Sequence, residues 1–407
     1  MANATKHYLH YPEEENVPIY LAYGFRPIFL LLAPYIILTT VVWAFVWAGV
    51  INPFGDHMLE WHIYEYLFGI GLAGIMAFIF TGLPELFPGV VPLIGKKLKF
   101  FMLLWIAGRV SFWMIDILPV FLIGIINLAL LVAVIVWAFK PVVLDPLQRH
   151  ASLGYALATM LIVEGWFYGS MMGIFETSAL EILKAALSIM MILLLLALRR
   201  VNMEVINEIM EDEGMDDKFF AKPFRYNLAI FSIALFAVVE FFYGTNSALG
   251  WIGLAAFAAI LGILNDYNLE FEKIIFKPYT IYLSLILVLM ACGYGFMGVD
   301  ILYGQGTLQN HFRHFLSTGA FGLSFYMVMV IVSYVHTGRH LASNNLMVLS
   351  VLLIVVATIA RISIAYFPQA ANILYILSAI IWILPFGIYY ATFYRYLLLP
   401  RADGVQG

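Results

Sequence analysis

Charge is what this chain has least of. Only 11% of its 407 residues are Asp, Glu, Lys or Arg, where soluble domains carry roughly 25%. With 63% hydrophobic residues, no soluble fold of this length hides so much apolar surface, so a polytopic membrane protein is expected. Cysteine is nearly absent. Cys292 stands alone in an apolar stretch, which excludes a disulfide framework and a CxxC metal site. The nine histidines include no tandem run and no adjacent pair. A cleavable signal peptide is not expected, because the polar N-terminus carries Glu13-Glu14-Glu15 ahead of any apolar run; the first span is expected to act as its own insertion signal. A net charge of −4 gives no basis for nucleic acid as a partner.

What is abundant is apolar sequence in long runs. A helix needs about 20 apolar residues to cross hydrocarbon. On that measure the spans run over 27–49, 62–84, 98–116, 117–139, 152–174, 179–198, 226–244, 247–265, 279–298, 312–335, 343–363 and 371–397. The expected fold is an all-α membrane protein, a bundle of about twelve transmembrane helices with N- and C-termini cytoplasmic. Residues 1–26 form a cytoplasmic N-terminal segment, 27–399 the transmembrane domain, and 400–407 a cytoplasmic tail. With this count, all but Arg109, Lys184, Arg313 and Arg361 of the 21 Lys and Arg fall on the inner side, as the positive-inside rule requires. The longest connection, 199–225, is acidic at its centre and basic at its edges, and is expected to be a solvated surface helix or a loose linker. It divides the spans six and six, a layout common among transporters, but the halves show no convincing sequence repeat.

Ionisable groups in hydrocarbon are costly and are functional hypotheses by default. His62 and Glu65 share one face at the mouth of the second span. His311 and His314 stand at the mouth of the tenth. His57, Glu240, Asp300, Arg313 and Arg361 fall at the same outer level. Histidine is a common ligand for haem iron and copper, and a haem clamped between two helices needs one His from each, as His62 and His314 could supply. Glu65 is then placed to orient His62, accept a hydrogen bond or pass protons. The plain alternative is that interfacial histidines bond only backbone or water. His57 and His311 read as loop residues. His336 and His340, a helical turn apart, could bind metal or end a solvated helix. His7, His10 and His150 read as cytoplasmic surface. Arg109 and Glu164 lie inside spans; either they pair, or Arg109 holds a haem propionate or an anionic substrate. Glycines follow both histidines (Gly69, Gly71 and Gly74; Gly319 and Gly322) and allow close packing or room for a flat cofactor.

Five segments resemble the NnrS family of bacterial membrane proteins. They are Gly24-Phe25-Arg26-Pro27-Ile28-Phe29, Trp61 through Gly69, His314 through Gly322, His336-Thr337-Gly338-Arg339, and Pro400 through Gly404. The resemblance implies a bacterial inner-membrane protein that holds haem b and copper and is linked to nitric oxide stress. It makes His62 and His314 the expected iron ligands, with Glu65 and Arg361 beside them. It also marks Arg26, His336 and Arg339 as functional at the opposite face. Nitric oxide or another diatomic ligand is the implied partner besides the lipid bilayer; the electron donor, and catalysis against binding, stay open. Three positions depart from the family pattern. Tyr64 stands where the family has a second His, His340 where it has Pro, and Asn202-Met203 follow Arg200-Val201. A phenol is a poor donor for Cu(I); if the family uses that His for copper, this member keeps haem and loses copper. A transporter built on Arg109 and Glu164 is the alternative function. A divergent haem–copper oxidase is disfavoured, because it would need a His-His pair.

Overall fold

A computed structural model describes residues 11–12, 16–87, 89–147, 150–216, 218–267 and 272–407. The expectations made for Lys6, His7, His10, Glu13, Glu14, Glu15, Arg149 and Asp217 lie outside these residues. The described residues contain helices and no strand. The main helices are α1 Phe25–Trp47, α2 Gly55–Leu86, α3 Gly95–Trp113, α4 Val120–Val143, α5 Ala151–Met171, α6 Ala179–Asp212, α7 Pro223–Tyr243, α8 Ser247–Tyr267, α9 Pro278–Tyr303, α10 Gln309–Val335, α11 Asn345–Ser363 and α12 Ala371–Leu398. Each expected span therefore falls on a helix. Ten of the twelve are long and apolar enough to cross a membrane, which makes this a multi-pass membrane protein. The two that fall short are α3 and α5. α3 carries Lys96, Lys97, Lys99 and Arg109, and α5 dilutes its apolar run with Glu164 and small polar residues.

Helix starts follow local chemistry. Pro223 and Pro278 open α7 and α9, where a missing N–H costs nothing. Asn246 and Asn344 cap α8 and α11 by accepting from the Leu249 and Met347 N–H groups at 3.1 and 3.0 Å. One expected connection is different in kind. Rather than a separate surface helix or a loose linker from 199, α6 continues to Asp212, because Asn202, Val205, Ile206 and Met210 recur at helical spacing and are buried. The acidic end beyond them, Glu211 to Glu213, is exposed.

The chain forms two compact units. The first comprises 1–186, 329–342 and 386–407; the second comprises 187–328 and 343–385. In the first, α2 packs on α1, α3 and α4, and α4 on α5. In the second, α9 packs on α8 and α10, with α7 on α8 and α11 on α10. The α8–α9 crossing brings two backbones together: a Cβ on Gly298 would stand 2.7 Å from the Gly250 carbonyl oxygen, and one on Gly253 2.9 Å from that of Tyr294. Only glycine permits this approach.

α2 and α10 share a feature that hydropathy does not reveal. Each is wound as a π-helix over seven residues, Glu65–Gly71 and Phe315–Phe321, directly after the histidine-bearing turn. Such widening disturbs the regular carbonyl ladder and is frequent at functional sites. In both helices a carbonyl within the π segment accepts from a tryptophan indole. Trp105 Nε1 reaches Gly69 O at 2.9 Å, and Trp382 Nε1 reaches Thr318 O at 3.0 Å.

Candidate functional site

In the first unit, the π segment of α2 carries a buried polar network drawn from five helices. Glu65 is fully buried, and its Oε2 accepts from Arg109 Nη1 of α3 at 2.8 Å and from the Tyr35 hydroxyl of α1 at 2.5 Å. Trp113 Nε1 donates to the Tyr35 oxygen at 2.8 Å. Arg109 Nη2 donates to Asn127 Oδ1 of α4, and Asn127 is anchored on the Ile123 carbonyl at 3.0 Å. From the preceding residue of α2, the Tyr64 hydroxyl donates to Glu164 Oε1 of α5 at 2.6 Å and accepts from Tyr168 at 2.7 Å. The Tyr64 ring stacks on Phe112 with centroids 3.9 Å apart. Arg109 and Glu164 are thus not each other's hydrogen-bonding partners, which corrects the simplest reading of two charges buried at similar depth. Glu65 does the pairing. Gly69 makes room for it, since a Cβ there would run into Glu65 Oε2 and Arg109 Nη1.

His62, one turn before Glu65 on α2, is half-buried. Its ring lies flat on Trp43 of α1, centroids 4.0 Å apart and planes 7° from parallel, with Tyr66 edge-on at 4.8 Å. The stack fixes the ring plane and leaves its edges for other contacts. Glu65 faces Arg109 and Tyr35, so its carboxylate belongs to the ion pair.

In the second unit, His314 precedes the π segment of α10, half-buried, with Nδ1 2.9 Å from the Asn310 carbonyl oxygen. A carbonyl can only accept, so Nδ1 carries the proton, and in the neutral ring Nε2 keeps its lone pair. This is the tautomer that a metal-ligating histidine held by backbone adopts. Arg313 of the same turn pairs with Glu240 at the end of α7. Asp300 accepts from the Leu308 N–H at 2.8 Å and shapes the α9–α10 connection. His311 Nδ1 lies 3.5 Å from Arg361 Nη1, and Arg361 sits 4.3 Å over the Tyr375 ring. The glycines after His314 are filled by packing. Gly319 faces Thr358 and Leu289, and Gly322 faces the Trp382 indole.

A third group gathers three separated motifs within the first unit. Arg26 is fully buried. Its Nη1 donates to the carbonyls of Tyr396, Leu397 and Leu399 at 3.1, 3.1 and 2.9 Å, and Nη2 to Gly407 O at 2.9 Å. It therefore neutralises the negative end of α12. Tyr11, whose hydroxyl donates to the Ala22 carbonyl at 2.5 Å, lies beside it; burial pushes that phenol up to about 12 against the pull of Arg26. Arg339 stacks on Tyr396 at 4.0 Å. Gly338, at φ +73°, presents its α-carbon to Asp403. Asp403 takes both Arg401 Nε and Nη2, at 3.0 and 2.6 Å, and the Ala402 N–H donates to Thr337 O at 2.9 Å. His336 Nδ1 lies 2.9 Å from Glu85 Oε1, which also accepts from Tyr23 at 2.6 Å. The helix ends at Val335, so His336 and His340 do not stand one helical turn apart. His340 is exposed in coil and His336 is half-buried against aromatic rings; neither the metal pair nor the solvated helix end is what forms here.

Sequence reasoning missed Tyr23, Tyr35, Glu85, Asn127, Trp105, Trp113 and Tyr168. Tyrosines and tryptophans are so numerous in the spans that no local signal separates these from belt and core. Among the described residues no three His, Cys, Asp or Glu side chains converge as a protein-only metal centre would need, and Tyr64 is committed to Glu164 and Tyr168. The donors present therefore do not fit a copper site built around position 64. An iron ligated by histidine alone asks for less, and the His314 tautomer fits it. No curated protein and no solved structure matches this chain. The NnrS family model, described as NnrS protein, matches residues 19–401, nearly the full length, and the chain belongs to the NnrS family.

Proposed function

We propose that this chain performs an NnrS-like function in the bacterial inner membrane, protecting against nitric oxide by binding it or turning it over at haem b. In this reading the chain crosses the membrane twelve times with both ends cytoplasmic, as the placement of Lys and Arg favours. His314 of the second unit and His62 of the first are each candidate iron ligands; bound at such a histidine, a haem supplies a site for a diatomic gas. The observation that carries the reading is the His314 Nδ1 contact to the Asn310 carbonyl, which puts the proton on Nδ1 and so sets the tautomer that ligates through Nε2. His62 is supported by its fixed ring plane on Trp43. Glu65 acts at one remove, by anchoring α2 through Arg109. Arg26 and Arg339 hold the C-terminal segment, and His336 is held by Glu85 at the same end.

Copper is not part of the proposal, since position 64 holds a phenol already engaged twice. Nor is a transporter reading, since Arg109 has a carboxylate and an amide as structural partners.

The test is absorbance spectroscopy of purified protein, oxidised and dithionite-reduced, before and after nitric oxide. Wild type is expected to show a Soret band and sharp reduced bands, with a shift on adding nitric oxide. His314→Ala should lose or strongly alter them, and His62→Ala likewise. A colourless wild type from haem-replete cells overturns the reading; unchanged spectra in both variants overturn the ligand assignment.

A further inference from the structure

Four Lys and Arg fall outside the segments that the charge pattern assigns to the inner side: Arg109, Lys184, Arg313 and Arg361. Three have a carboxylate partner. Arg109 has Glu65, Lys184 has Glu181 at 2.6 Å, and Arg313 has Glu240. Arg361, in the last turn of α11, has none among the described residues. What surrounds it is neutral or aromatic: the Tyr375 ring at 4.3 Å and His311 Nδ1 at 3.5 Å. His311 presents Nδ1 to a guanidinium, which can only donate, so this histidine is neutral and adds no negative charge.

A half-buried cation without a counter-charge is costly in an apolar setting. Arg26 solves the same problem differently, with three backbone carbonyls at the negative end of α12 and that of Gly407. Arg361 stands on its own helix's last turn, where the dipole helps, yet the fork of its guanidinium has no carboxylate to grip.

We propose that Arg361, with His311 and Tyr375, forms a binding site for a carboxylate or a small oxyanion of the same shape. The planar fork matches a two-oxygen anion. Tyr375 fixes the guanidinium plane, and His311 closes one edge. Two sources have this chemistry: a propionate of the proposed haem, and a free small anion. The inference rests on charge balance and does not depend on haem being present.

Two measurements on the purified full-length protein separate the sources. In the first, haem-free protein is titrated with haem b and with its dimethyl ester, whose propionates carry no charge. If a propionate is the ligand, wild type prefers haem b by about ten-fold or more, and Arg361→Gln loses the preference. In the second, acetate is titrated into haem-free protein by calorimetry. If a free anion is the ligand, wild type binds acetate and Arg361→Gln binds it about ten-fold or more weakly. Arg361→Lys, which keeps the charge but not the fork, is expected between the two and shows that the site survives substitution. Acetate binding to a protein that takes no haem would keep this site while removing the haem reading. Equal behaviour of wild type and Arg361→Gln toward both haems and toward acetate overturns the proposal.

Discussion

Arg109 Nη1 meets Glu65 Oε2 at 2.8 Å, with both side chains buried, inside the π-wound segment of α2. This contact joins α2 to α3, and through Asn127 it reaches α4. It explains why two charges survive in an apolar bundle: each satisfies the other, and neither is exposed to lipid.

Breaking the pair from one side should be far worse than removing it. Arg109→Met leaves a buried carboxylate and should destabilise the protein by about 3–5 kcal/mol, whereas Arg109→Met with Glu65→Leu should recover much of the loss. Thermal melting in detergent measures both. A single variant as stable as wild type would show that the pair is not a structural link.

Gly69 and Gly319 each lie within a π segment but meet different neighbours. A Cβ at Gly69 runs into the ion pair itself, while one at Gly319 meets Thr358 Cγ2 at 3.2 Å and Leu289 Cδ2 at 3.4 Å. Gly69→Ala should cost about 1–3 kcal/mol; Gly319→Ala should cost less, because methyl groups shift more easily than a buried salt bridge. The same melting assay ranks them, and the reverse order would contradict the packing described.

Tyr64 donates to Glu164, whose other oxygen, Oε2, has no hydrogen-bond partner among the described residues. Tyr64→Phe removes that donor and should cost about 1–3 kcal/mol. Adding Glu164→Gln should soften the loss, since an amide tolerates burial better than a bare carboxylate. Additive losses in the double variant would argue against direct coupling.

The C-terminal latch should respond to acid. Hydrogen bonds from Arg401 hold the Asp403 carboxyl below its ordinary value of 3.8, outweighing the opposing effect of burial. A depressed carboxyl contributes stability that is full above the unfolded value and fades as pH falls through the folded one. Hydrogen exchange of residues 400–407 should therefore hold steady from neutral pH down to about 4 and accelerate below it, beyond the intrinsic pH trend. Asp403→Asn should exchange faster at neutral pH and show no such step; an identical profile in the variant would remove Asp403 from the latch.

Much of this molecule is legible along the chain. Twelve helices and their approximate limits follow from apolar runs, because hydrophobic burial scales with local composition. The two helices that miss the apolar standard, α3 and α5, are the ones carrying Arg109 and Glu164. Arg26, His62, His314 and Gly338 also stand out along the chain as motif residues. What each does was not. Arg26 reads as a functional cation and is the cap of a helix 370 residues away.

By itself, then, the sequence determined the class, the helices and the family, all of which depend on patterns within a turn or two of chain. Only the tertiary structure decided the partners. A buried charge needs the nearest available counter-charge, and Arg109 could have met Glu164 or Glu65 on equal chemical terms. The choice fell to Glu65 because the widened turn of α2 and the absent side chain at Gly69 bring that carboxylate within reach, and a reading along one dimension carries no distances.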